Sequence, residues 1–157
     1  VHRLAVSCEM LITRQQIDGF LAALKKRPMS RDLPLTADGQ FLVETWNRYQ
    51  ALGPNADLET RFKAFAIGLA ARQRPYDAHF PVLRWMAKDT WLAKVQCPTL
   101  VFGADRDVFY NREQLDAAPQ RFPHCSTAII EGPGALSPFE NPQAIASLLL
   151  DFFGRDE

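Results

Sequence analysis

Two short apolar runs late in the chain limit its fold more than any other feature. Pro98-Thr99-Leu100-Val101-Phe102 leads into Gly103, and Ser126-Thr127-Ala128-Ile129-Ile130 ends near Gly132. Both are nearly continuous rather than alternating, which suits strands covered on both faces of a parallel sheet. Between them Leu115, Ala118 and Phe122 recur at helical spacing, although Pro119 shortens any helix there. After the second run, Asn141 is a good N-cap and Pro142 occupies the first helical position. Ile145, Leu148, Leu149 and Phe152 follow at i, i+3, i+4, i+7, and Gly154 ends the pattern. Strand, helix, strand, helix at these spacings predicts a right-handed βαβ unit, hence an α/β fold of parallel strands with covering helices.

A third β-like run, His2 to Ser7, lies at the start. From about residue 14 to 94 there is no convincing strand. Ile17, Phe20, Leu21 and Leu24 predict one amphipathic helix. Leu42, Trp46 and Tyr49 predict another, with Asp38 as its cap. Asp57 is placed to cap a third, carrying Leu58, Phe62, Phe65 and Leu69, and a shorter one is expected over Leu83 to Lys88. Pro28, Pro34, Pro54 and Pro75 separate these pieces. An all-helical stretch of about 80 residues is too large for a plain crossover between parallel strands. It is expected to be a helical cap, 14–94, inserted into a core made of 1–13 and 95–157.

Charge and composition narrow the function classes. The 18 Lys and Arg balance 18 Asp and Glu, which speaks against binding nucleic acid through bulk charge. The apolar stretches are far too short to span a membrane. At 47% apolar, 157 residues can bury a real core. Cys8, Cys97 and Cys125 match no zinc or redox spacing, and their odd number argues against a disulfide framework. They are expected to be small buried thiols. Nothing near the start resembles a signal peptide, so a cytoplasmic location is the default. The chain begins at Val1 and passes directly into Leu4-Ala5-Val6, so it reads as a piece whose beginning lies elsewhere.

The chemistry concentrates at two places. Leu100-Val101-Phe102-Gly103-Ala104-Asp105-Arg106-Asp107 carries a buried strand into a turn rich in carboxylates. Ligands bind parallel sheets outside the carboxyl ends of the strands, which is where Asp107 falls. Asp105 and Asp107 are also ordinary turn residues, and Asp105 is the competing acid. The loop Glu131-Gly132-Pro133-Gly134-Ala135-Leu136-Ser137-Pro138-Phe139-Glu140-Asn141-Pro142 joins the next strand to the last helix and would lie beside Asp107.

These two segments together resemble the C-terminal part of the α/β-hydrolase family. In that family a late strand ends in Gly with the triad acid three or four residues on, which maps to Gly103 and Asp107. The last strand leads to a Gly-His pair, an apolar stretch, Glu, x-Pro and a closing helix. Gly134, Glu140 and Pro142 match, but the His position holds Ala135. His2 to Ser7 then resembles the sixth strand, and 14–94 the cap inserted after it. No G-x-S-x-G motif is present, because the nucleophile elbow of the family lies before that strand. The resemblance therefore implies a partial α/β-hydrolase fold, with the N-terminal half on a second chain or fragment. A sheet of three strands would otherwise leave a long hydrophobic edge unpaired.

The same resemblance implies a serine hydrolase acting on an ester or lactone of a mainly apolar small molecule, without cofactor or metal. A serine from the other half would attack the carbonyl, an imidazole at position 135 would take its proton, and Asp107 would orient that imidazole. With Ala135 the enzyme is expected to be inactive or crippled while still binding ligand. A deliberate His-to-Ala change that traps a ligand, or a natural inactive homologue, accounts for a preserved loop around one differing residue. A non-catalytic binding protein, an acyltransferase or a C–C hydrolase on the same fold are the alternatives. His124 and His2 lie at the wrong ends of their strands, His124 about 23 Å from the catalytic edge at roughly 3.3 Å per residue. His79 falls in the cap. Trp46 and Tyr49, and Phe109 just after the acid, are candidate substrate contacts. Such a stripe of Trp46, Tyr49, Phe62 and Phe65 is more often the cap's own core.

Overall fold

A computed structural model describes residues 2–7, 17–19, 21–22, 26, 33–73, 81–82, 85, 89–108 and 112–154. The chain divides into two compact units, one of residues 1–11, 52–56 and 89–157, the other of 12–51 and 57–88.

The first unit is built on three parallel strands in the order β1-β2-β3: β1 is Leu4–Ser7, β2 Thr99–Ala104 and β3 Cys125–Ile130. Leu4 pairs with Thr99 and Ser7 with Phe102, while Thr99 pairs with Cys125 and Ala104 with Ile130. Central β2 is buried at all six positions, as its continuous apolar run predicts. It extends through Gly103 to Ala104, past the end read from sequence. Its alternate side chains feed two cores. Val101 packs with Leu92, Leu115, Ala118 and Phe122 on one face. Leu100 and Phe102 pack with Ile130 and Phe152 on the other, with Ala5, Ala128, Ile145, Leu148 and Leu149 against them.

Coverage on both faces fails for β3, where Ser126 and Thr127 are exposed. Unlike central β2, β3 lies at an edge of the three described strands.

Helices follow the strands as expected. The segment after β2 breaks at Ala117, two residues before Pro119, into a short helix at Arg112–Asp116 and a 3-10 turn at Ala118–Gln120 that contains the proline. The closing helix runs from Pro142 to Phe153, with the Asn141 side chain accepting from the Ala144 N–H at 3.2 Å and Gly154 at the C-cap. One turn, Ser137–Glu140, precedes it.

In the second unit, helix α1 spans Gln40–Leu52 and α2 spans Leu58–Ala71. Asp38 accepts from the Gln40 N–H at the start of α1. Asp57 caps α2, its Oδ1 accepting from the Thr60 N–H at 2.7 Å. That bond holds the Asp57 carboxyl below its ordinary value. Trp46 meets Phe65 edge-on, ring centroids 5.4 Å apart. Tyr49 lies over buried Gly68, and burial pushes its phenol above the ordinary range. Residues 17–19 and 21–22 are helical and Ile17 is buried, as its periodicity predicts. Phe20, Leu24 and the expected helix over Leu83 to Lys88 lie wholly or partly outside the described residues.

Candidate active site at the carboxyl edge of the sheet

The carboxyl ends of β2 and β3 deliver two loops to the same edge, and backbone bonds join them. The Asp105 N–H donates to Ile130 O at 3.1 Å and the Arg106 N–H to Pro133 O at 3.2 Å. The Asp107 N–H closes a tight turn on Ala104 O. Asp105 also spends its side chain here: Oδ1 accepts from the Gly132 N–H at 2.7 Å. Asp107, half-buried in the same turn, follows two residues later.

The loop that carries Ala135 is held from a further side. Residues 52–56, the last residue of α1 and the link that follows it towards α2, belong to the same compact unit as the sheet. The Asn55 amide Nδ2 donates to Gly132 O at 2.6 Å, and the Leu136 N–H donates to Leu52 O at 3.3 Å. Glu140, at the end of the single turn, takes the Asn55 N–H on Oε1 and the Gly134 N–H on Oε2, both at 2.7 Å. The approach is close enough to require glycine at 134, where a Cβ would fall 2.5 Å from Leu52 O and 2.7 Å from Pro54 Cδ. Gly132 takes φ +101°, a region open to glycine and strained for other residues. The two glycines flanking Pro133 thus serve backbone geometry.

Of the residues singled out from sequence, Asp107 and Ala135 lie on these two joined loops, and both are half-buried. Trp46 and Tyr49 lie in the other unit, in the packing of α1 against α2. Phe109 and His79 lie outside the described residues, as does Cys8. His124 sits just before β3, its carbonyl accepting from the Thr99 N–H, at the opposite end of the strand from Ala135. Cys97 and Cys125 are free and only half-buried, and burial pushes the Cys125 thiol up. Among the described residues no group of three side chains is arranged to hold a metal ion, and no helix is long and apolar enough to cross a membrane.

Sequence reasoning missed Asn55 and the double acceptor role of Glu140. Their bonds span 85 and 77 residues of chain for Asn55 and leave no local pattern. The only local cue was the turn chemistry of Gly53-Pro54-Asn55.

A parallel sheet with an acid after its buried strand, and a tethered loop after the next, defines the C-terminal part of an α/β-hydrolase fold. Solved structures carry the same fold. The chain is similar to a bromoperoxidase from Bacillus anthracis, with TM-score 0.62 and 13% identity over 98% of this chain and 58% of that one. It is similar to a 2-hydroxy-6-oxo-6-phenylhexa-2,4-dienoate hydrolase from a Rhodococcus species, with TM-score 0.60 and 11% identity, covering 98% of this chain and 55% of that one. An enol-lactonase from Burkholderia xenovorans matches at TM-score 0.58 and 12% identity, covering 99% and 57%. The chain thus spans little more than half the length of these structures. No family model and no curated protein matches it.

Proposed function

We propose that this chain is the acid-bearing part of a serine-type α/β-hydrolase that lacks its catalytic base. Asp107 is the triad acid. Position 135 is where an imidazole would stand between that acid and a serine from a second chain or fragment, which also supplies the oxyanion hole. The observation that carries this reading is the joining of the Asp107 turn to the Ala135 loop at the sheet's carboxyl edge, through Asp105 to Gly132 and Arg106 to Pro133. With a methyl group at position 135 nothing accepts the serine proton, so the nucleophile stays protonated and turnover is lost while ligand binding survives.

The substrate class is an ester or lactone of a mainly apolar small molecule. Support for an apolar substrate is the Trp, Phe and Leu content of the helical stretch. Trp46 and Tyr49, which pack α1 against α2, and Phe109 are the proposed substrate contacts. The N-terminal half of the fold is the proposed partner. Its support is the sheet's unequal edges: β3 presents the exposed Ser126 and Thr127, whereas β1 carries the half-buried Leu4, Ala5 and Val6 with no strand beyond it among the described residues. A ligand-binding protein without turnover is the second reading, favoured by Ala135 itself.

The test is Ala135→His, assayed on activated esters after reassembly with a polypeptide supplying the earlier strands. A gain of several orders of magnitude over the unaltered chain, abolished by Asp107→Asn, is expected. No gain in a reassembled, folded complex refutes the hydrolase reading in favour of the binding protein.

A further inference from the structure

We propose that Glu140 is a positioning residue: its one carboxylate fixes the backbone on both sides of the approach to position 135, by tying Gly134 to the bend between α1 and α2. The inference goes beyond the assignment of Asp107 and position 135, and its bearing on catalysis rests on that assignment.

The geometry is specific to a carboxylate. Oε1 takes the Asn55 N–H and Oε2 takes the Gly134 N–H, each at 2.7 Å. Bonds from neutral donors to an ionised acceptor are short and stronger than neutral pairs. Gly134 immediately precedes position 135: its N–H is held by Glu140 and its C=O accepts from the Ser137 N–H at 3.1 Å, so the two peptide planes that lead into the next side chain are both fixed. The opposite flank is fixed by the Leu136 N–H on Leu52 O. Asn55 closes the cycle, since its side chain grips Gly132 O while its N–H is held by Glu140. The 52–56 connection is thereby a template for the loop. Glu140 is the only side chain in this set that reaches both of the segments being aligned.

Glutamine has one acceptor oxygen, so Glu140→Gln sets an NH2 group against one of the two backbone donors. Aspartate is one methylene short of spanning both. Each substitution keeps the side chain polar and nearly the same size, and the sheet itself is untouched.

Two measurements on the chain reassembled with a polypeptide supplying the earlier strands decide the matter. The first is site-resolved amide exchange by NMR. In Glu140→Gln, exchange at Gly134 and Asn55 should rise about tenfold or more, as expected for loss of a charge-assisted bond, with Val101 and Phe102 unchanged. The second uses the imidazole introduced by Ala135→His as a spectroscopic probe. If the loop aims position 135 at Asp107, this imidazole titrates above an ordinary histidine, and Asp107→Asn removes the shift. Glu140→Gln in the same background should remove most of it too. A uniform rise in exchange across the sheet, or exchange that does not change, overturns the proposal. So does an imidazole that responds to Asp107→Asn but ignores Glu140→Gln. If the imidazole ignores Asp107→Asn, the hydrolase assignment fails, and exchange at Gly134 and Asn55 still decides the role of Glu140.

Discussion

Replacing Gly68 by alanine sets two known effects against each other, and the structure decides the winner. Gly68 is buried in the interior of α2. In an exposed helix, alanine for glycine stabilises by about 1 kcal/mol through backbone entropy and propensity. Here the added Cβ would lie 2.1 Å from Tyr49 Oη, 2.2 Å from Cζ and 2.5 Å from Cε2. Carbon contacts are comfortable near about 3.5 Å, so the ring must retreat by roughly 1.4 Å. All three atoms belong to one rigid group on α1, which cannot yield by rotating a flexible tip. Overpacking of this kind costs about 1–3 kcal/mol, and the depth of the overlap argues for the upper part of that range. Net destabilisation of about 1–2 kcal/mol follows after the propensity gain, or roughly 2–8 °C in Tm for a chain of this size. The assay is far-UV circular dichroism during thermal and urea unfolding. Tyr49→Phe removes the nearest atom and should recover part of the loss in the double variant, but only part, since Cζ remains. An increase in Tm for Gly68→Ala, of the size seen at exposed helical glycines, would refute the packing of α1 on α2 described above.

Two further outcomes follow from the fold. The Asp57 carboxyl is held low by its bond to the Thr60 N–H, so its ionised form favours the folded state. That contribution is present above the carboxyl's unfolded value and is lost as pH falls through the folded one; Asp57→Asn should therefore flatten the acid limb of a Tm-against-pH curve. Phe122, 2% exposed in the core beneath β2, should cost about 3–5 kcal/mol when truncated to alanine, read as a lower urea midpoint at unchanged slope.

What could be read in advance was what local chemistry decides. The closing helix was legible at both ends because Asn141, Pro142 and Gly154 act on their immediate neighbours. Asp57 was legible as a cap for the same reason. The six buried positions of β2 were legible because a central strand needs apolar side chains in both directions. β3 was harder: Ile129 and Ile130 resemble β2, but Ser126 and Thr127 face solvent, and edge position depends on strand order, not on the strand's own residues. Thr45 is a buried polar residue that the helical pattern did not single out, and its hydroxyl is satisfied by Phe41 O at 2.7 Å. Of the candidate site, the Asp107 turn and the Ala135 loop were marked by Gly103, Gly134 and Glu140. The bracing by Asn55 was invisible, since its partners are brought to it only by the completed fold.

The grouping of residues 52–56 with the sheet has a consequence for exchange and recombination. An inserted element is easily replaced when its two ends enter and leave at one place and its contacts are its own. Here the polypeptide returns to the sheet unit midway through the helical stretch and leaves five residues there before resuming. A graft that replaces the whole stretch with another set of helices therefore removes the acceptor of the Leu136 N–H and the Asn55 groups bound to Gly132 and Glu140. Replacing helices on either side of this pentapeptide leaves those bonds in place, so the pentapeptide belongs with the sheet in any exchange.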